Sequence, residues 1–213
     1  RWAEEHHVTH RGLHSLILIA QVLRVSRIMR NIAALVDRGA DAEQCRRDTA
    51  LLADVLDNRM WDEESGLYGW LCRTDRGVER PLVGGCRGDR SACAFLPLFA
   101  GLMTRKDRLL PQMMDPARFC TPFGISSVDM QSPLYNPDGY WNGGIWPVLQ
   151  WYLWRGLLEA GEPDLARRVA ESILAAWQGC YADGHYLGEH FHIAQRRMSG
   201  APNFGGLSAA LLP

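Results

Sequence analysis

Between positions 13 and 36 the apolar residues Leu16, Ile17, Ala20, Leu23, Ile28, Ile32 and Leu35 return every three or four places, with arginines on the remaining face. That period predicts an amphipathic helix. Gly39 and Asp41 punctuate the chain, after which Thr49, Leu52, Ala53, Leu56 and Met60 carry a second helix over about 42–59. Two long helices joined by a short glycine-containing turn predict a helical hairpin. The segment WDEESGLYGWL reads as a loop with a short strand, and PLVGGCRGDR as a glycine-rich charged loop. A further helix is predicted from Ser91 through ACAFLPLFAGLM, with Pro97 either kinking it or starting it, and a short one over about 108–114.

From 116 to 139 the helical period vanishes and four prolines appear, at 116, 122, 133 and 137. Ordered loops of that length are more often functional than not. Helices are predicted again over about 144–160 and 164–178, separated by Gly161 and Pro163. A second irregular stretch, CYADGHYLGEHFHIAQRRMSGAPNFGG, precedes a last helix from about Leu207. No strand series could build a large sheet, so the class is mainly α. Helix pairs alternating with long aromatic loops suit a toroid of inner and outer helices, with a site at the mouth formed by the loops.

Composition narrows the function. Lys and Arg total 23 against 24 for Asp and Glu, only Lys106 is a lysine, and the arginines are dispersed. Nothing in that balance favours nucleic acid or an anionic membrane. The apolar run LHSLILIAQVL is followed at once by Arg24, Arg27 and Arg30 and is too short to span a bilayer, which takes about 20 apolar residues. The cysteines at 45, 72, 86, 93, 120 and 180 lack the spacing of a zinc knuckle or a thioredoxin-like motif. Thiols in a reducing cytoplasm are the simplest reading, with a few bridges the alternative for an exported protein.

Three places invite chemistry. His6, His10 and His14 are four apart, a metal-compatible spacing, but Gly12 interrupts them and no carboxylate stands at a matching position, so no metal site is expected. Glu189 precedes His190 and His192; an extended backbone would put both imidazoles on one face and the carboxylate on the other. The segment YWNGGIWP gathers Tyr140, Trp141 and Trp146 around Asn142, Gly143 and Gly144, ahead of a helix in which Trp146, Leu149, Gln150 and Leu153 share a face. Trp151 and Trp154 point elsewhere and are expected to be packing residues. Glycines at that turn are expected to expose backbone N–H groups beside an aromatic platform. Such a platform suits a sugar, whose C–H face stacks on indole.

Five stretches together resemble one family. YWNGGIWP and its helix, MWDEESGLYGW, FLPLFAGL, FCTPFGISSVDMQSPLY and GEHFHIAQRRMSGAPNFGGLSAALL are similar to segments of glycoside hydrolase family 63 and its mannosylglycerate and glucosylglycerate hydrolase relatives. The resemblance runs from about Met60 to the end of the chain. It implies an (α/α)6 barrel, of which residues 1–213 would be the C-terminal portion. It also implies hydrolysis of an α-glucosidic or α-mannosidic bond with inversion, with Glu189 as general base. Tyr140, Trp141 and Trp146 would line the glycone pocket, and Asn142, Gly143 and Phe123 would join them in holding the substrate. No cofactor and no metal are implied.

The expected partner is a small carbohydrate, a disaccharide or a glycosyl-glycerate, in the cytoplasm, without nucleic acid or membrane; a homo-oligomer is left open. Inversion needs a second carboxyl about 6.5–9.5 Å from the base. The family's acid is an aspartate in a segment N-terminal to everything matched here, and Asp129 and Asp138 are the local substitutes to test. Asn142 replaces a frequent arginine, and FGGLSAA departs from the family's F-x-W-T-A-A. A sugar epimerase using His185, His190 or His192, and a non-catalytic carbohydrate-binding protein, are the competing readings.

Overall fold

The computed structural model describes residues 12–73, 79–82, 90–182, 186 and 188–208. His6, His10, His185 and most of the glycine-rich loop lie outside the described residues. The first helix, α1 (Leu16–Leu35), starts where the Ser15 side chain accepts the Leu18 N–H at 3.3 Å, and it buries Leu16, Ala20 and Leu23. It packs along α2 (Gly39–Arg59), of which only Leu56 is fully buried. Ahead of α1, Leu13 and His14 form a short strand, β1, so His14 stands on a strand and not on a helix.

The segment after α2 makes more strand than the single short one expected. A hairpin of β2 (Trp61–Asp62) and β3 (Leu67–Tyr68) is followed by β4 (Trp70–Arg73), which lies between β1 and β5 (Glu79–Leu82) in an antiparallel sheet. A 3-10 turn over Ala92–Phe95 leads into α3 (Leu96–Phe99), which carries Pro97 in its first turn. The helix predicted over the whole of this stretch is therefore much shorter. Its physical reason lies in α1: Arg24 and Arg27 donate to the Phe99 and Ala100 carbonyls, closing the helix end from outside.

After α4 (Lys106–Met113) the long irregular segment contains only the two-residue strands β6 (Cys120–Thr121) and β7 (Gly124–Ile125). Helix α5 (Pro147–Glu159) begins three residues later than predicted. Ile145 is already bridged to Phe191, with both N–H···O bonds formed at 3.0 and 2.8 Å, so its backbone is extended and Pro147 opens the helix. A turn at Gly161 leads to α6 (Pro163–Ala182), and the hairpin β8 (His190–His192) with β9 (Arg197–Ser199) precedes the short α7 (Gly205–Ser208).

One core joins these pieces: Leu16, Leu23, Phe95, Phe119, Trp146 and Leu153 belong to a single buried cluster. A smaller cluster of Ile145, Ile173, Cys180, Phe191 and Met198 seats β8 and β9 against α6. Trp154 packs partly buried against the main core as expected, whereas Trp151 is 40% exposed while touching Phe99 and Tyr152. Among the described residues no helix is long and apolar enough to cross a membrane.

Candidate active site

Two irregular segments meet at one place, and buried polar groups hold them there. Gln150, on α5, donates through Nε2 to the Ile125 carbonyl and accepts the Ile125 N–H through Oε1, both at 2.8 Å. Ser126 donates to the Val128 carbonyl at 2.7 Å, and Ser127 Oγ donates to the Trp141 carbonyl while accepting the Gly143 N–H, each at 3.1 Å. Asn142 donates its side-chain amide to the Leu134 carbonyl at 2.9 Å. A buried polar group without a partner would cost about 1–3 kcal/mol, so this internal pairing is what lets the loop fold compactly.

The glycines fit that packing. A Cβ on Gly143 would lie 1.9 Å from the Asn136 carbonyl oxygen, and one on Gly144 2.8 Å from His190 Cδ2. Their role is therefore close approach. The Gly143 N–H, expected to face a ligand, is engaged inside the loop by Ser127, and Asn142 likewise acts as a strut.

The Ile145–Phe191 bridge joins the aromatic loop to β8, where Tyr140 meets Glu189 and Trp146 meets His190. Trp146 is fully buried. One of its faces stacks on Trp141 at 3.5 Å and 4°, and it also stacks on His190 at 5.0 Å and 18°. Its Nε1 donates to the Tyr140 carbonyl at 2.9 Å. Trp146 thus backs the wall, while Tyr140 and Trp141, each 51% exposed, are the surfaces a ligand can meet. Phe123 packs against β8, its ring 4.9 Å from that of Phe191.

Glu189 is held from two sides. Tyr140 donates its hydroxyl to Oε2, and the Ala201 N–H donates to Oε1 at 3.1 Å. These two bonds, the tyrosine's first, hold the carboxyl below its usual range even though burial opposes ionisation. The same bond pushes the Tyr140 phenol up. Gly200 makes room for this arrangement: its φ is +85°, and a Cβ there would come within 2.9 Å of three carbons of the Glu189 side chain.

His190 and His192 share a face of β8, as the alternation predicts, with rings 4.9 Å apart. Burial, followed by the neighbouring His192, pushes the His190 imidazole below its ordinary value. Neither His190 ring nitrogen is solvent-accessible or hydrogen-bonded. His192 Nδ1 lies 3.3 Å from Asp138 Oδ1, and this pair links the aromatic loop to the hairpin that follows Glu189. Asp129 is a different case: fully buried, it accepts Arg118 Nε at 2.9 Å and Nη2 at 2.7 Å, with Arg90 at 3.4 Å. Locked between two guanidinium groups, it is a structural carboxylate.

Sequence reasoning missed the Ala201 N–H and the Asp138–His192 link. The Ser-Gly-Ala turn after β9 is the signal for the first; nothing local signals the second, which joins residues far apart in the chain.

A family model described as the mannosylglycerate hydrolase MGH1-like glycoside hydrolase domain matches residues 3–205. The chain belongs to this family. It is similar to mannosylglycerate hydrolase MGH1 of Selaginella moellendorffii, at 30% identity over 122 residues, 55% of this chain and 22% of the relative. The mannosylglycerate hydrolase of Thermus thermophilus is 32% identical over 122 residues, 54% of this chain and 26% of the relative.

Among solved structures, a GH63 mannosylglycerate hydrolase from Thermus thermophilus in complex with glucose aligns with a TM-score of 0.74 at 24% identity. That alignment covers 92% of this chain and 46% of that one. Neutral trehalase Nth1 from Saccharomyces cerevisiae aligns with a TM-score of 0.72 at 18% identity, over 98% of this chain and 40% of that one. The fold is therefore mainly α, of the (α/α)6-toroid glycosidase architecture, and the matched stretch spans about a quarter of the curated relatives' length.

Proposed function

We propose that this family member supplies the general-base side of an inverting α-glycosidase site, within the C-terminal portion of an (α/α)6 barrel. Glu189 takes a proton from water as the water attacks the anomeric carbon of a glucoside or mannoside. Tyr140 and Trp141 hold the sugar ring, Trp146 stiffens them from behind, and Asn142, Gly143 and Phe123 keep the loop and hairpin in register. The substrate class is a small α-linked sugar, a glycosyl-glycerate foremost, in line with the mannosylglycerate hydrolases to which the chain is similar. A small carbohydrate in the cytoplasm is the partner this reading names, with no cofactor.

The observation that carries the reading is Glu189: an ionised carboxylate, fixed by Tyr140 and Ala201, beside two exposed aromatic faces. A base for water attack must be ionised at working pH and must not rotate away, and two donors supply both. Asp129 does not serve as the matching acid in this reading, because it is fully buried, its Oδ2 accepts from Arg118 and Arg90 and its Oδ1 accepts the Gln131 N–H. Asp138 is tied to His192 and Gln195. In this proposal the acid is an aspartate on a polypeptide segment N-terminal to these residues. The epimerase alternative is disfavoured for His190, whose ring nitrogens have no access to a sugar.

Glu189→Gln, made in the protein that carries that N-terminal segment, tests the assignment on a panel of α-glucosides, α-mannosides and glycosyl-glycerates. Turnover should be lost with sugar affinity kept, and the wild-type product should first appear as the β-anomer by NMR. Unchanged hydrolysis in the variant would remove Glu189 from the chemistry, and binding without hydrolysis across the panel would favour a carbohydrate-binding protein.

A further inference from the structure

The segment from Asp138 to Ile145 stands on the β8 hairpin at both ends. At its far end Ile145 exchanges two backbone bonds with Phe191, at 3.0 and 2.8 Å. At its near end the contact is made by a side chain: Asp138 Oδ1 lies 3.3 Å from His192 Nδ1 and accepts from Gln195 Nε2 at 3.4 Å. A carboxylate only accepts, so His192 meets it with a proton on Nδ1. Between these two feet lie Tyr140 and Trp141, the half-exposed aromatic faces of the site.

The two feet are unequal. Ile145 is fully buried and is held through its backbone, which does not depend on its side chain. The Asp138 side chain is 52% exposed, and both of its contacts depend on which residue stands there. Asn136 sets the backbone at this foot, accepting the Asp138 N–H on Oδ1 at 3.0 Å and the Gly139 N–H on its carbonyl at 2.8 Å. Only Gly139 separates Asp138 from Tyr140, and a Cβ on Gly139 would lie 2.1 Å from Asn142 Oδ1. A link packed this closely passes a displacement at Asp138 on to Tyr140.

We propose that Asp138, gripped by His192 and Gln195, is a positioning residue: it fixes the foot of the segment that delivers the Tyr140 hydroxyl to Glu189. This role rests on the assignment of Glu189 as the base. The test is Asp138→Ala in the protein that carries the N-terminal segment, with hydrolysis of a glycosyl-glycerate followed across pH. kcat should fall about tenfold, part of the roughly 100-fold that a displacement of about 1 Å costs. KM should change little, because Trp141 stays stacked on Trp146. The acid limb should move to higher pH, since a loosened Tyr140 no longer holds the carboxyl down, while His190, the other titratable neighbour of Glu189, is unchanged. Circular dichroism and melting temperature should stay close to wild type, as for other exposed pairs.

Two variants check the same contact from either side. Asp138→Asn keeps an acceptor of the same shape and should recover most of the rate and the limb. His192→Phe keeps a ring beside His190 but removes a donor, and should move the limb as Asp138→Ala does. In a Tyr140→Phe background Asp138→Ala should move it no further, because the route to Glu189 is already cut. An unmoved limb in both Asp138→Ala and His192→Phe, or an equal further shift without the Tyr140 hydroxyl, would overturn the proposal. Glu189→Gln keeps the two failures apart. If that variant hydrolyses as wild type does, the base assignment falls; if it is inactive while Asp138→Ala matches wild type, only the positioning role falls.

Discussion

Gly200→Ala separates two effects that a glycine can have. The first is backbone: a Cβ at positive φ costs about 1–2 kcal/mol. The second is space. The new Cβ would lie 2.8 Å from Glu189 Cβ and 2.9 Å from its Cγ and Cδ. Carbon atoms rest about 3.5–4.0 Å apart, so the side chain must retreat by about 0.6–1.2 Å. That retreat breaks the register of Glu189 with Tyr140 and Ala201, and misplacement of a reacting group by about 1 Å costs about 100-fold in rate.

Gly161 supplies the control, because its φ is +75° but a Cβ there meets nothing within 4 Å. Gly161→Ala should lose the backbone energy alone, with sugar turnover and affinity intact. Gly200→Ala should lose at least as much stability and about two orders of magnitude in turnover. Paired urea melts and NMR-monitored hydrolysis measure both. If the two variants behave alike, the close approach of Gly200 to Glu189 has no bearing on the proposed chemistry.

Three further outcomes follow from the same geometry. Tyr140→Phe removes the larger of the two bonds that hold the Glu189 carboxyl low, so the acid limb of the pH–rate profile should move to higher pH while the ring still binds sugar; an unmoved limb would contradict that origin of the shift. Asp129→Asn leaves Arg118 and Arg90 without their buried counter-charge and should cost about 3–5 kcal/mol in a denaturant melt. His190 is buried with its proton affinity lowered, so as pH falls through about 6.5 the unfolded chain binds a proton that the folded one does not. Stability should therefore drop on acidification below that value and recover above it, and His190→Phe should flatten the slope between pH values on either side.

The long helices were legible because their apolar period runs for several turns, and α1, α2 and α6 fall within a few residues of the expected spans. One short strand was expected where β2 and β3 form, but strands such as β6 and β7 escaped because two residues are too few to show an alternation. Long-range partners decided the remaining boundaries. Ile145 leaves the helix for Phe191, and α3 stops where arginines from α1 reach its carbonyls. The same holds at the site. That Tyr140, Trp141, Trp146 and Glu189 are aromatic or acidic could be read directly; that Trp146 stacks on His190 and Glu189 accepts from Tyr140 could not, because those contacts depend on loops about fifty residues apart coming together.

The internal bonding of the aromatic loop separates what holds it from what it presents. Ser126, Ser127, Asn142 and Gly143 form the frame through side-chain or backbone polar atoms. Tyr140 and Trp141 lend this frame their carbonyl oxygens, which any residue would provide equally. The Tyr140 hydroxyl is still committed to Glu189, so the freedom to vary falls on Trp141. The outward face can be exchanged there while the frame stands. On the proposed reading, a lineage, or an engineer, could retune which sugar is accepted by changing that one side chain without redesigning the loop.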